Sequence, residues 1–179
     1  VTIVLLNEPV ITTLVKLLSE SLGGVIAEIN AATADDFIVE PPVKVIDYMP
    51  ISLTLEQGMP LVAVQDLPIT FENDLQHSME SEVNLGICSI LQTADHRTLA
   101  WQLRRYNQAV MQAIQNDRQL NVEAIMRKPP ASVIYTEFVG TEPGPMLGDR
   151  NPDDPGAPPT SFRSWTWLII KCRRQEVLT

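Results

Sequence analysis

Two segments whose apolar residues return every three or four positions bracket a run in which they alternate, and this change of period constrains the fold more than any other feature. From Asn7 to Ala32, residues Val10, Leu14, Leu17, Leu18, Leu22, Val25, Ile26 and Ile29 recur at helical spacing. Asn7 is placed as the N-cap and Pro9 in the first turn, where its missing N–H costs nothing. Gly23 and Gly24 interrupt the stripe, so either the helix bends there or the glycines admit a close neighbour. From Glu82 to Leu91, residues Val83, Leu85, Ile87 and Leu91 face one way and Glu82, Asn84 and Gly86 the other, as in a half-buried antiparallel strand. A second helix is predicted over Asp95 to Asn116, with Thr93 or Asp95 as its cap. Leu99, Leu103, Tyr106, Val110, Ala113 and Ile114 lie on one face of it, and Arg97, Arg104, Arg105, Gln108 and Gln112 largely off that face.

The remaining segments fill in around this frame. Pro41, Pro42, Pro50, Gly58 and Pro60 surround the short apolar run Val43 to Ile46, which predicts loops with one edge strand. Strands follow over Leu61 to Gln65, over Ile69 to Glu72 as a short one, and over Ser132 to Val139 and Phe162 to Arg173, the last two rich in β-branched and aromatic residues. Between these two lies Gly140 to Thr160, in which ten of 21 residues are Gly or Pro, six of them Pro. That segment reads as a long loop or an arm that packs on a neighbouring subunit. The order of helix, strands, helix and strands is that of an α+β fold: an antiparallel or mixed sheet with two helices packed against it, in a single domain over residues 1–179.

With 45% hydrophobic and 20% charged residues, the chain can bury one sizeable core. No uncharged apolar run reaches the length of about 18 residues that a membrane span requires; the longest, Val83 to Ala94, contains Asn84, Ser89 and Gln92. Val1 to Leu6 follow no basic segment and run into Asn7, Glu8 and Pro9, so a secretory signal is not expected, and no membrane association either. Cys88 and Cys172 sit in strand-like runs without metal-type spacing and read as small buried side chains.

The net charge of -9 is uneven. Residues 1–60 hold Lys16 and Lys44 against Glu8, Glu20, Glu28, Asp35, Asp36, Glu40, Asp47 and Glu56, which accounts for -6 of it. Basic residues are scattered singly or in pairs, a pattern that argues against a grip on nucleic-acid phosphates.

The chain contains no nucleophile elbow, phosphate-binding glycine loop or paired-histidine zinc motif. His77 and His96 lack partners at ligand spacing. Asp149, Asn151 and Asp153 alternate like the start of a calcium loop, but Asp154 replaces the turn glycine and Thr160 the closing glutamate. These readings lead to an expectation of a non-enzymatic chain with no cofactor and no metal.

The passages LSESLGGVIAEINAA (18–32), PLVAVQD (60–66), VNLGICSIL (83–91), RRYNQAVMQAI (104–114), SVIYTEF (132–138) and SWTWLIIKC (164–172) resemble, in order and spacing, the tail-terminator (tail-completion) proteins of long-tailed bacteriophages. The resemblance implies a tail-tube-like fold and a hexameric ring that caps the tail tube and offers the surface to which the head joins. It implies as partners other copies of the chain, the tail tube protein, a head-completion or connector protein and, for a contractile tail, the sheath protein. It further implies that genomic DNA passes through the lumen without specific binding, and that the protein resides in the neck of the virion after assembly in the host cytoplasm.

The residues singled out for a subunit interface are Arg104 and Arg105 on the second helix, Asp149 and Arg150 in the long loop, and Trp165 and Trp167, which share one face of the last strand. Two rival readings stand beside this one. The first is another neck or tail structural protein, such as a head-completion adaptor, a tube subunit or a sheath-anchoring protein. The second is a small hydrolase or ligand-binding domain using an acidic pair such as Asp153 and Asp154.

Overall fold

The computed structural model of the chain describes residues 8–35, 37–49, 58–67, 80–117, 131–150, 153–154 and 156–176. Helix α1 (Glu8–Ala32) is followed by β1 (Lys44–Ile46), β2 (Leu61–Asp66), β3 (Glu80–Thr93), helix α2 (His96–Asn116), β4 (Ala131–Pro143), β5 (Leu147–Asp149) and β6 (Ser161–Glu176). The strands form one mixed sheet in the order β1-β2-β3-β6-β4, with β5 beside β6. β1 and β2 run parallel and every other pair is antiparallel. The α+β architecture read from the sequence is therefore the observed one. The expected Asn7 cap, the Ile69 to Glu72 strand and His77 lie outside the described residues.

Period-two alternation sorts the sheet residues between two faces. Val62 and Val64 of β2, Val83, Leu85, Ile87 and Leu91 of β3, and Leu168, Ile170 and Cys172 of β6 are buried on the face that receives the helices. Against them α1 packs Val10, Leu14, Leu18, Leu22, Val25, Ile26 and Ile29, while α2 packs Leu99, Tyr106, Ala109, Val110, Ala113 and Ile114. Each fully buried aliphatic side chain contributes about 1.5–3 kcal/mol by leaving water. By length and composition Val10–Ala32 could cross a membrane. In this fold its apolar stripe lies in the core, and Lys16, Glu20 and Glu28 are exposed on the other side.

Gly23 and Gly24 leave α1 unbroken. A Cβ built on Gly23 would lie 3.8 Å from Pro41, whereas one on Gly24 would meet nothing within 4 Å. Neither position requires a glycine for space: the Gly23 contact is an ordinary van der Waals distance, and Gly24 has no close neighbour among the described residues. Helix α2 begins at Asp95, whose carboxylate accepts from the Thr98 amide at 2.9 Å and from the Thr98 hydroxyl at 2.7 Å. One of its orphan amides is satisfied in this way.

One polar contact fixes α2 over the sheet: Asn107 Nδ2 donates to Thr166 Oγ1 at 2.9 Å. Thr166 pairs in register with Ser89 of β3. The Ser89 hydroxyl and Asn107 Oδ1 are buried beside them without a hydrogen-bond partner among the described residues.

On the far face of the sheet, Leu61, Ala63, Cys88 and Ile90 form a second, smaller buried cluster. Trp165, Trp167, Ile46, Met49 and Met59 pack against it.

The long loop is shorter than its composition predicts. Gly140–Pro143 continue β4, which remains paired with β6 through bulges at Val133/Tyr135 and Phe138/Gly140. Leu147–Asp149 pair with Ser161–Arg163. Strand pairing with β6 overrides the weak local preference of Gly and Pro here, because β6 is long enough to template both pieces.

Candidate functional site

The residues singled out from the sequence fall into three places. Asp149 is held within its own domain: its Oδ2 accepts from Gln92 Nε2 at 3.2 Å, Ser161 Oγ at 3.1 Å and Arg163 Nη2 at 3.2 Å. Gln92 Nε2 also donates to Ser161 Oγ at 2.9 Å. This cluster ties β5 to β3 and β6, and Arg150 follows it on the exposed side.

Trp165 and Trp167 lie together on the face away from the helices, as their alternation implies. They are partly buried against the second cluster. Two glycines make room for them: a Cβ on Gly86 would come within 2.8 Å of the Trp167 ring, and one on Gly144 within 2.4 Å of the Trp165 ring. The Gly144 amide donates to the Trp165 carbonyl at 2.8 Å, which lays the segment after β4 along the indole.

Arg104 and Arg105 part company. Arg105 is 8% exposed and turns inward. Its guanidinium grips the Asp35 carboxylate with both oxygens, one at 2.6 Å, and donates to the Phe37 carbonyl. Hydrogen bonding from Arg105 holds the Asp35 carboxyl below the usual carboxylate range, with the Phe37 amide assisting. Arg104 points outward and lies over the Trp101 ring, 5.0 Å from its centroid.

A surface that the interface reading missed emerges around Arg104. Residues 37–40 have no regular structure, yet five side chains hold the chain there and at Asp35. Arg105 binds at Asp35 and Phe37. Gln102 Nε2 donates to the Ile38 carbonyl at 2.8 Å. Asn30 donates to the Val39 carbonyl at 2.8 Å and accepts from its amide at 3.0 Å. Tyr106 donates to the Glu40 carbonyl at 2.6 Å, and Asp35 itself accepts from the Phe37 amide at 3.1 Å. Burial, with the Glu40 charge nearby, raises the Tyr106 hydroxyl pKa, so the phenol remains a donor.

Val39 is thereby buried while Ile38 stands 66% exposed. The Phe37 ring stacks on Trp101 with centroids 6.4 Å apart and planes 13° from parallel. Trp101 is 48% exposed. The result is a rigid ledge of Phe37, Ile38, Trp101 and Arg104. The signal in the sequence was Trp101, which stands off the apolar stripe of its helix midway between Leu99 and Leu103.

Cys88 and Cys172 are buried and form no disulfide with each other, and burial pushes the Cys88 thiol up to about 12. Asp153 and Asp154 are exposed at a turn where Asp154 accepts from the Gly156 amide at 3.3 Å. Among the described residues no group of three or more His, Cys, Asp or Glu side chains could hold a metal ion. Asn151 of the calcium-like triplet lies outside the described residues. No family model matches the chain, and no curated protein matches it.

Proposed function

We propose that this chain is a structural subunit of a tailed-phage neck, a tail terminator whose copies form a ring, most simply a hexamer, on the end of the tail tube. The reading rests first on the order and spacing of the six passages that resemble that family. The observation in the fold that best supports it is β4, a 13-residue strand that, among the described residues, is paired on one side only at the end of the sheet. A long unpaired edge is a liability for an isolated domain and an asset for one that assembles with copies of itself.

In this role the tube protein binds one side of the ring, a head-completion or connector protein the other, and DNA slides through an acidic lumen. A contractile tail adds the sheath protein to the contacts. The chain then does its work by geometry and adhesion, in the virion, and has no substrate.

The reading is tested with purified protein by solution mass and negative-stain imaging, and by its ability to cap isolated tails. A closed ring of sixfold symmetry that blocks further tube growth and restores head joining is the expected result. A monomer in solution that also fails to bind tails would overturn it.

A further inference from the structure

Among the described residues, the strongly exposed large hydrophobic side chains fall into two groups. Ile38, Val43, Tyr48 and Trp101 lie on the segment leading from α1 past β1 or against it, and Val139, Met146 and Leu147 lie along β4 and β5. Surface apolar residues scattered singly need no account, but two separate groupings do.

We propose that the two are halves of one head-to-tail contact: the ledge of Phe37, Ile38, Trp101 and Arg104 on one copy receives the rim of Val139, Glu142, Met146 and Leu147 on the next. The proposal rests on the ring reading and names its interface. The ledge is preorganised, because the hydrogen bonds to residues 37–40 fix their backbone before any partner arrives, which lowers the entropy lost on docking. Its chemistry is that of an interface anchor, two stacked aromatic rings beside an arginine. The rim supplies what complements it, a thioether and aliphatic groups for the rings and a carboxylate for Arg104.

Charge favours a second copy as the occupant. Of the three arginines of helix α2, Arg105 is spent on Asp35, while Arg97 and Arg104 stand exposed on a helix that carries no carboxylate. Strand β4 carries Glu137 and Glu142 and no basic residue. The ledge lies on the outer side of the helix layer and the rim on the sheet edge, so the two surfaces of one copy serve two different neighbours. Contacts between unlike surfaces propagate, and close into a ring where the rotation permits.

Ile38→Asp disables the ledge and leaves the rim intact; Val139→Asp does the reverse, with Leu147→Asp as a second rim variant. All three sites are exposed, so each variant keeps the wild-type melting temperature. In sedimentation velocity, wild type assembles, and each variant alone weakens association by at least about thirtyfold, as loss of an interface anchor does. An equimolar mixture of ledge and rim variants then returns a one-to-one dimer and nothing larger, because one intact ledge meets one intact rim. Assembly of either variant at wild-type affinity, or a mixture that stays monomeric while wild type assembles, overturns this interface and leaves the ring reading standing. Wild type that is monomeric both in solution and on tails overturns both.

Discussion

Arg105 of α2 closes on Asp35 with both carboxylate oxygens while also donating to the Phe37 carbonyl, so a single guanidinium joins the second helix to the segment that leaves the first. Asp35 has a depressed pKa in the folded state. Its contribution is therefore present above the unfolded carboxylate pKa and is lost as pH falls through the lower, folded value. Asp35→Asn is expected to lower stability most at neutral pH, where the ionised carboxylate contributes in full, and to converge on wild type as pH falls below about 4, which flattens the acid limb of the stability-against-pH curve. Arg105→Ala, which strips a buried donor from the Phe37 carbonyl, is expected to destabilise by about 1–3 kcal/mol in urea unfolding at pH 7.

Gly86 is expected to tolerate no side chain. Its Cβ would meet the Trp167 ring at 2.8 and 2.9 Å and Leu67 at 3.1 Å. Gly86→Ala forces the indole to move and costs about 1–3 kcal/mol, the usual cost of overpacking. Near-ultraviolet circular dichroism, which reports the asymmetric setting of tryptophan, should change together with the melting temperature.

Gly24 offers the opposite test. It is exposed within α1 and a methyl group there meets nothing within 4 Å. Gly24→Ala should stabilise by about 0.5–1 kcal/mol, because alanine loses less backbone freedom on entering a helix. A calorimetric melting temperature that fails to rise would show that the glycine has a neighbour outside the described residues.

Among the described residues, the Ser89 hydroxyl is buried without a partner under α2. Ser89→Ala removes a desolvated polar group from the helix–sheet interface and should raise stability by up to about 1 kcal/mol. Denaturant midpoints at unchanged m-value are the measurement.

Asp149 anchors β5 through Gln92, Ser161 and Arg163. Asp149→Ala should increase hydrogen exchange over 147–149 and 160–163 while the core of β3 and β6 stays protected, since local opening of an edge piece leaves the global transition intact. Replacing all of 140–160 by a short turn, by contrast, removes the end of β4 and the whole of β5. It is expected to lower the melting temperature, where a free arm would leave it unchanged.

Much of the architecture was legible because periodicity is a local property. The stripes Val10 to Ile29 and Leu99 to Ile114 and the alternation Val83 to Leu91 state which faces are buried, whatever they pack against. Asp95 announced its cap, and Trp165 and Trp167 their common face. What the sequence left open depends on neighbours distant in the chain. Composition marks 140–160 as loop, yet pairing with β6 extracts two strand pieces from it. The Arg104–Arg105 pair looks uniform, yet Arg105 finds Asp35 seventy residues away and turns inward while Arg104 covers Trp101. The ledge itself exists only because α1 and α2 lie side by side, which brings Asn30, Gln102, Arg105 and Tyr106 onto one stretch of irregular backbone. Sequence determined which side chains seek burial. Tertiary structure decided which polar groups are used up inside the domain, and so which remain on its surface for a partner, because a hydrogen bond between distant residues has no periodicity to announce it.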